Sequence, residues 1–418
     1  MNKIITPLIL LSTAVVFCAW PVHADDNQSE TRENPTVEAG NASMLATQSY
    51  PDYIKADANH IQMNGNDWTD LRDVFAAADS CPVNIVHIGD SHLQADMGTA
   101  VTRNRLGQEF HHLRGRGLII PFKLAGTNQP VDYKITSPNS FTQSRLLKLP
   151  WPTSMGFSGI AIQPNSQNFK LNVTTGENFD ALTIFYTGDT IDIMSAIVGS
   201  EPIPFSARPT YKGIKISFAY NVSSVELNLK APLGTAIHGI NASLGDTGLA
   251  YHVIGNNGAT FASYTMVGNV GNDVAEMFEP DLIIISLGTN EAFNNVSDSE
   301  FRHTIDEFVK EVQLANPDAR LLLVTPQECH RKTSKRRRRR TSFQVNNNVK
   351  RMRDVILDYA RDNSIPVYDW YEVAGGKGSS HKWIADKNIN TDHIHLTKSG
   401  YVLQGNLFTE ALLEQLRY

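Results

Sequence analysis

Chemistry is first suggested in this chain by Ser91. The run Val83-Asn84-Ile85-Val86-His87-Ile88 has the length and apolar content of a buried strand and stops at Gly89-Asp90-Ser91-His92. A serine placed where a strand gives way to a helix projects at the carboxyl edge of a parallel sheet, which is where such folds hold ligands. Its hydroxyl is a poor nucleophile until a base takes its proton. Far down the chain, Asp392-His393-Ile394-His395 supplies a carboxylate and an imidazole three residues apart. On a tight turn, Asp392 can fix the tautomer of His395 and leave the far ring nitrogen of His395 for Ser91. His393 is a rival base, and the three-residue spacing favours His395. The order Ser, Asp, His occurs in more than one serine hydrolase fold, although no G-x-S-x-G elbow surrounds Ser91. Taken singly, Ser91 also reads as a helix N-cap, and Asp392 with His395 as caps of a helix beginning near Thr397.

Attack by Ser91 on an ester creates an oxyanion, which needs donors aimed in advance. Two segments can supply them. Gly255-Asn256-Asn257-Gly258-Ala259-Thr260 follows a strand-like run, and Gly258 can present its N–H with no Cβ in the way. Gly288-Thr289-Asn290-Glu291 follows another, and the Asn290 amide can donate. With the Ser91 N–H, Gly258 and Asn290 make a three-donor oxyanion hole beside the catalytic set Ser91, Asp392 and His395. Neither a metal nor any other cofactor is called for. His92, Asp392, His393 and His395 lack the additional clustered carboxylates or His-x-x-x-His helix of a metal hydrolase.

The elements that must position these residues fall into three stretches. A helical pattern at Trp68, Leu71, Val74, Phe75 and Ala78 precedes the first strand, and a helix over about 98–111 follows it. From about 126 to 245 the helical period disappears. Strand-like runs at 169–174, 181–187, 191–198, 214–219 and 223–230 take its place, separated by turn signals such as Thr175-Gly176-Glu177-Asn178. That is the pattern of an inserted β-sandwich. After about Leu249 strands at 249–254, 282–287, 320–324 and 366–368 alternate with helical patterns near 273–278, 300–314, 345–361 and 397–416. Such alternation implies a parallel sheet covered on both faces, a three-layer α/β/α domain. Residues 51–125 and 248–418 form this domain, and 126–247 interrupt it.

The N-terminus reads as an address. Lys3, the apolar stretch Ile4–Trp20 and Val22-His23-Ala24 match a secretory signal over 1–24, followed by a polar, acidic lead-in over 25–50. No later segment is long and apolar enough to span a bilayer. An exported chain, periplasmic or secreted, follows. With 418 residues, 41% apolar and 19% charged, the composition is that of an ordinary globular protein. A formal charge of −6 argues against a general nucleic-acid partner, and three Cys exclude a disulfide scaffold. Cys81 and Cys329 can pair or stay free thiols. The run Lys335 to Arg340 reads as a solvated loop between a strand and a helix, with attraction to an anionic polymer as a second reading.

Gly89-Asp90-Ser91, Gly258, Gly288-Thr289-Asn290 and Asp392-Ile394-His395 together resemble the four sequence blocks of the SGNH (GDSL) hydrolase superfamily. The resemblance implies Ser91 as nucleophile, Gly258 and Asn290 in the oxyanion hole, and His395 as base with Asp392. More narrowly, Ile88-Gly89-Asp90-Ser91-His92, Asn257-Gly258-Ala259-Thr260, Gly288-Thr289-Asn290-Glu291-Ala292 and His395-Leu396-Thr397 are similar to the bacterial peptidoglycan O-acetylesterases. That subgroup carries a β-rich, carbohydrate-binding-like domain between its first two blocks. Glu291 stands where many superfamily members have Asp, which suits the subgroup. The resemblance implies an exported serine esterase that removes O-acetyl groups from a polysaccharide, with acetylated cell-wall peptidoglycan as substrate. The alternatives are an O-acetyltransferase with the same triad and a non-catalytic glycan-binding protein.

Overall fold

A computed structural model describes residues 50–333 and 342–417. The signal-like 1–24, nearly all of the lead-in and the basic run Lys335 to Arg340 lie outside the described residues. None of the described helices is long and apolar enough to cross a membrane.

The central sheet has six strands. Their spatial order is Ile61–Gln62, Val367–Tyr368, Arg320–Val324, Leu282–Ser286, Pro82–Gly89, Gly248–Gly255. The last five pair in parallel, and only the short Ile61–Gln62 edge strand runs antiparallel. Counted along the chain, the parallel strands therefore lie in the order 2-1-3-4-5. The order reverses between Pro82–Gly89 and Leu282–Ser286, and a crevice opens at the carboxyl ends of strands at such a reversal.

Side-chain alternation explains why both faces are covered. Val83 and Ile85, Leu249 and Tyr251, and Leu282 and Ile284 face one core, shared with Leu71 and Phe75, Leu106, and Leu407 and Leu412 from flanking helices. Val86 and Ile88, Ile254, and Ile283 and Ile285 face the other, shared with Phe261, Val274, Phe301, Ile305 and Met352. Strands buried on both faces read as near-continuous apolar runs, which is the pattern at Val83–Ile88 apart from Asn84 and His87.

The strands of the insert are hydrogen-bonded into one connected ten-stranded sheet, and in detail they depart from the sequence reading. Asn168–Thr187 and Gly213–Lys230 are each a single long strand pairing antiparallel. Thr175-Gly176-Glu177-Asn178, expected as a chain reversal, sits inside the first of these, where the register shifts between Val222 opposite Phe179 and Ser224 opposite Thr174. Gly and Asn are as suited to a bulge as to a turn, and a bulge bends a strand without ending it. The sheet also begins before the expected boundary at 126, because Gly117–Ile119 pairs with Ile240–Ala242. That strand is too short to show a period in sequence. Finally, the insert shares its core with the α/β part: Leu118, Phe157 and Ile240 belong to the same apolar cluster as Ile88 and Phe261. Residues from Tyr50 onward accordingly form one compact unit.

Candidate active site

The turn after Pro82–Gly89 fixes Ser91. A Cβ on Gly89 would lie 2.5 Å from Leu93 Cδ1 and 2.7 Å from the Ser286 carbonyl, so only glycine allows the chain to enter the Ser91–Gln94 helix there. The helix cap is Asp90, not Ser91: Asp90 Oδ1 accepts from the His92 N–H at 2.9 Å. The Ser91 hydroxyl is thereby left for another partner.

That partner is His395. Its Nε2 lies 2.7 Å from Ser91 Oγ, and its Nδ1 lies 2.7 Å from Asp392 Oδ2. Asp392 Oδ1 also accepts from the Ile394 and His395 N–H groups at 2.9 and 3.0 Å. One carboxylate thus shapes the turn and orients the ring at its end. The following helix, Lys398–Leu416, is capped by Thr397, so neither Asp392 nor His395 is occupied as its cap. His393, the rival base, turns the other way: its Nδ1 lies 3.2 Å from His330 Nδ1, and its ring stacks on Phe343 at 3.9 Å.

The electrostatics follow from these contacts. The hydrogen bond to Asp392 raises the His395 pKa against the opposing effect of burial. Burial acts to raise Asp392, but the bonds from His395 and the two amides outweigh it and hold the carboxyl well below the usual range. Beside them, burial, with a smaller contribution from His395, drives His92 down to about 3, so its ring is neutral. That ring sits 5.2 Å from the His395 ring, with Nδ1 3.1 Å from the Tyr401 hydroxyl.

The two donor loops converge on the same end of the sheet. Gly258 follows the Gly248–Gly255 strand with φ +81, a left-handed conformation that favours glycine. Asn290 follows Leu282–Ser286. Its Nδ2 donates to the Ala259 carbonyl at 2.9 Å and, more weakly, to Asp90 Oδ2 at 3.3 Å. The strong bond pins the amide to the Gly258 turn, and the weak one can be given up to a better acceptor. Among the described residues, neither Ser91 N–H nor Gly258 N–H has an acceptor. Ser91, Asp392 and His395 therefore lie in one hydrogen-bonded line, with the Gly258 and Asn290 loops at the same end of the sheet.

The supporting contacts of three residues escaped the sequence reading. Gln94 is buried; its Oε1 accepts from the Asn257 N–H at 2.7 Å, and its Nε2 donates to the Asn128 carbonyl at 2.8 Å. Tyr264 donates to the Gly89 carbonyl at 2.7 Å and accepts from Asn256 Nδ2 at 3.0 Å, tying the nucleophile turn to the Gly258 turn. Glu291 Oε1 accepts from the Phe261 N–H at 2.9 Å, linking the Asn290 loop to the helix after Gly258. Burial pushes Glu291 up to about 7 and Asp90 to about 6. Only the Thr260-x-x-Ser263 spacing, a capping box in the structure, hinted at any of this. Cys329 is buried as a free thiol, pushed up to about 12 mainly by burial, and is not bridged to Cys81. Among the described residues, no group of three or more His, Cys, Asp or Glu side chains is arranged to hold a metal ion.

Comparison with known proteins adds to this geometry. Residues 234–403 match the GDSL-like lipase/acylhydrolase family. The matched stretch holds Gly258, Asn290, Asp392 and His395, while Ser91 lies ahead of it, across the insert. No curated protein sequence matches the chain. Among solved structures, a peptidoglycan O-acetylesterase superposes with a TM-score of 0.67 at 19% identity, over 88% of this chain and 98% of its own. A lipase/acylhydrolase from Enterococcus faecalis aligns at 22% identity and TM-score 0.31, over 41% of this chain and 78% of its own. A putative acylhydrolase from Bacteroides fragilis aligns at 21% and 0.30, over 40% and 76%. Residues 234–403 thus match a GDSL-like lipase/acylhydrolase domain, and the chain as a whole is similar in fold to a solved peptidoglycan O-acetylesterase.

Proposed function

We propose that the protein is an exported carbohydrate O-acetylesterase acting on O-acetylated peptidoglycan in the periplasm. The observation that carries the chemistry is the line Ser91 Oγ, His395 Nε2, His395 Nδ1, Asp392 Oδ2, with 2.7 Å at each hydrogen bond. His395 takes the Ser91 proton as Oγ bonds to the acetyl carbonyl carbon, and Asp392 steadies the imidazolium. The oxyanion is held by the Ser91 and Gly258 N–H groups and by Asn290, which exchanges its weak bond to Asp90 for the charged oxygen. The sugar alcohol leaves with the proton from His395. Water, deprotonated by the same ring, then attacks the acetyl-serine and releases acetate.

The polymer is supported by a likeness that spans the insert as well as the α/β part, since the peptidoglycan O-acetylesterase aligns over 88% of the chain. Export is supported by the signal-like residues 1–24. The test is acetate release from O-acetylated peptidoglycan and, in parallel, from acetylated xylan, with Ser91→Ala as control. Faster release from peptidoglycan that vanishes in Ser91→Ala is the expected result. Activity surviving Ser91→Ala rules out the serine mechanism, and release from xylan alone rules out the polymer.

A further inference from the structure

The inserted sheet reaches the Gly258 turn through the loop between its Phe141–Arg145 and Ile160–Pro164 strands. A Cβ on Gly258 would lie 2.7 Å from Leu147 Cδ1, and nothing else lies within 4 Å. Leu147 is therefore the side chain that covers the Cα of Gly258. Hydrogen bonds hold it there from both sides. Leu146 N–H donates to the Gly159 carbonyl at 2.8 Å, Lys148 N–H to the Arg145 carbonyl at 2.9 Å, and Trp151 Nε1 to the Arg145 and Leu146 carbonyls at 3.2 Å. At the far end of the loop, the Ser158 carbonyl accepts from Asn256 Nδ2 at 2.8 Å, beside Gly258 itself. Yet Leu147 is 48% exposed, an apolar side chain half open to solvent beside the Gly258 turn.

An acyl group whose carbonyl oxygen sits on the Gly258 N–H has its alkyl end about one van der Waals layer from this glycine. The other rim of the same turn is polar: Asn257 Nδ2 donates to Asn128 Oδ1 at 2.7 Å and to Thr127 Oγ1 at 3.3 Å. A sugar alcohol needs polar partners, whereas a methyl group needs apolar ones. We propose that Leu147 is a specificity-determining residue that walls the acyl side of the site and restricts it to short acyl groups. The inference rests on Ser91 and Gly258 as the acyl-transfer centre, not on the identity of the polymer.

The test is kcat/KM on 4-nitrophenyl acetate, propionate and butyrate. Each methylene given apolar cover gains about fourfold. Leu147→Ala should therefore raise the butyrate-to-acetate ratio by about 4- to 15-fold. Leu147→Trp should lower it, and Leu147→Met should leave it near the wild-type value. The ratio between acetyl esters of different alcohols should not move in any of them. Melting temperatures should stay close to wild type, because main-chain and Trp151 bonds hold the loop; if Leu147→Ala melts early, the Trp and Met ratios decide alone. An unchanged chain-length profile overturns the proposal, as does an effect confined to the leaving alcohol. Wild-type enzyme that cleaves these esters but releases no acetate from peptidoglycan refutes the polymer reading while leaving this one to its own ratios.

Discussion

Replacing Asp392 with Asn separates the orienting role of the carboxylate from its place in the turn. The carboxylate accepts three bonds, from His395 Nδ1 at 2.7 Å, Ile394 N–H at 2.9 Å and His395 N–H at 3.0 Å. An asparagine keeps an oxygen for the two amides, so the turn and the melting temperature should survive. Towards His395, however, it presents an N–H. A ring nitrogen facing a donor must be the acceptor, so the imidazole proton moves to Nε2, the atom 2.7 Å from Ser91 Oγ. Nε2 can then donate to Ser91 but cannot take its proton. The loss in kcat/KM on 4-nitrophenyl acetate should be about 10³- to 10⁴-fold at neutral pH. The pH profile supplies a second reading. His395 acts only when neutral, so activity falls as pH drops through its pKa, and in the wild type that limb lies above the ordinary 6.5 because Asp392 raises it. In Asp392→Asn the limb should move down. An Asn variant that keeps more than about a tenth of the wild-type rate, far above the expected loss, would refute the orienting role. So would an acid limb that stays in place.

Three further outcomes follow from the contacts. Asn290→Ala should lower kcat by about 10²- to 10³-fold with little change in KM, measured on the same ester. Gln94→Met, close in shape but leaving the Asn257 N–H without its 2.7 Å acceptor, should cut kcat about tenfold, and an unchanged kcat would remove Gln94 from the support of the Gly258 turn. Glu291→Gln addresses stability. The folded pKa of Glu291 is raised to about 7 from 4.5, so the stability tied to its neutral form is full below pH 4.5 and is lost as pH rises through 7. The Gln variant should lack this loss, gaining on the order of 1–3 kcal/mol over the wild type at pH 8 relative to pH 5, read by denaturant unfolding at each pH.

The candidate triad was legible because the roles proposed for it depend on local chemistry. A serine two residues past a mostly apolar strand, and an Asp three residues before a His, are relations within a few positions. The three-layer α/β part was legible for a similar reason, since Val83–Ile88 and Leu282–Leu287 are mostly apolar runs, interrupted only by Asn84, His87 and Ser286. What failed to show were relations set by tertiary contact. Gln94 lies 163 positions from the Asn257 N–H it holds, and Tyr264 lies 175 from the Gly89 carbonyl. No spacing rule joins such pairs. Thr175-Gly176-Glu177-Asn178 misled for another reason: the same residue types serve turns and bulges, and only the partner strand decides between them.

The insert is accordingly more than a module placed between two sequence blocks. Three of its contacts fall on consecutive residues of the Gly258 turn: the Ser158 carbonyl on the Asn256 amide, Asn128 on the Asn257 amide, and Leu147 over Gly258. Asn256 and Gln94 are buried and polar, so each needs its partners to avoid the cost of an unpaired group in the interior. Removing the inserted strands would strip the Ser158 carbonyl from Asn256 and expose the shared core at Ile88 and Phe261. The Gly258 N–H would lose its fixed direction even with Ser91, Asp392 and His395 still in the chain. A stabilising donor acts only when its geometry is set before charge develops. The insert, directly ahead of the strand that leads to the Gly258 turn, therefore helps to set the geometry of that turn.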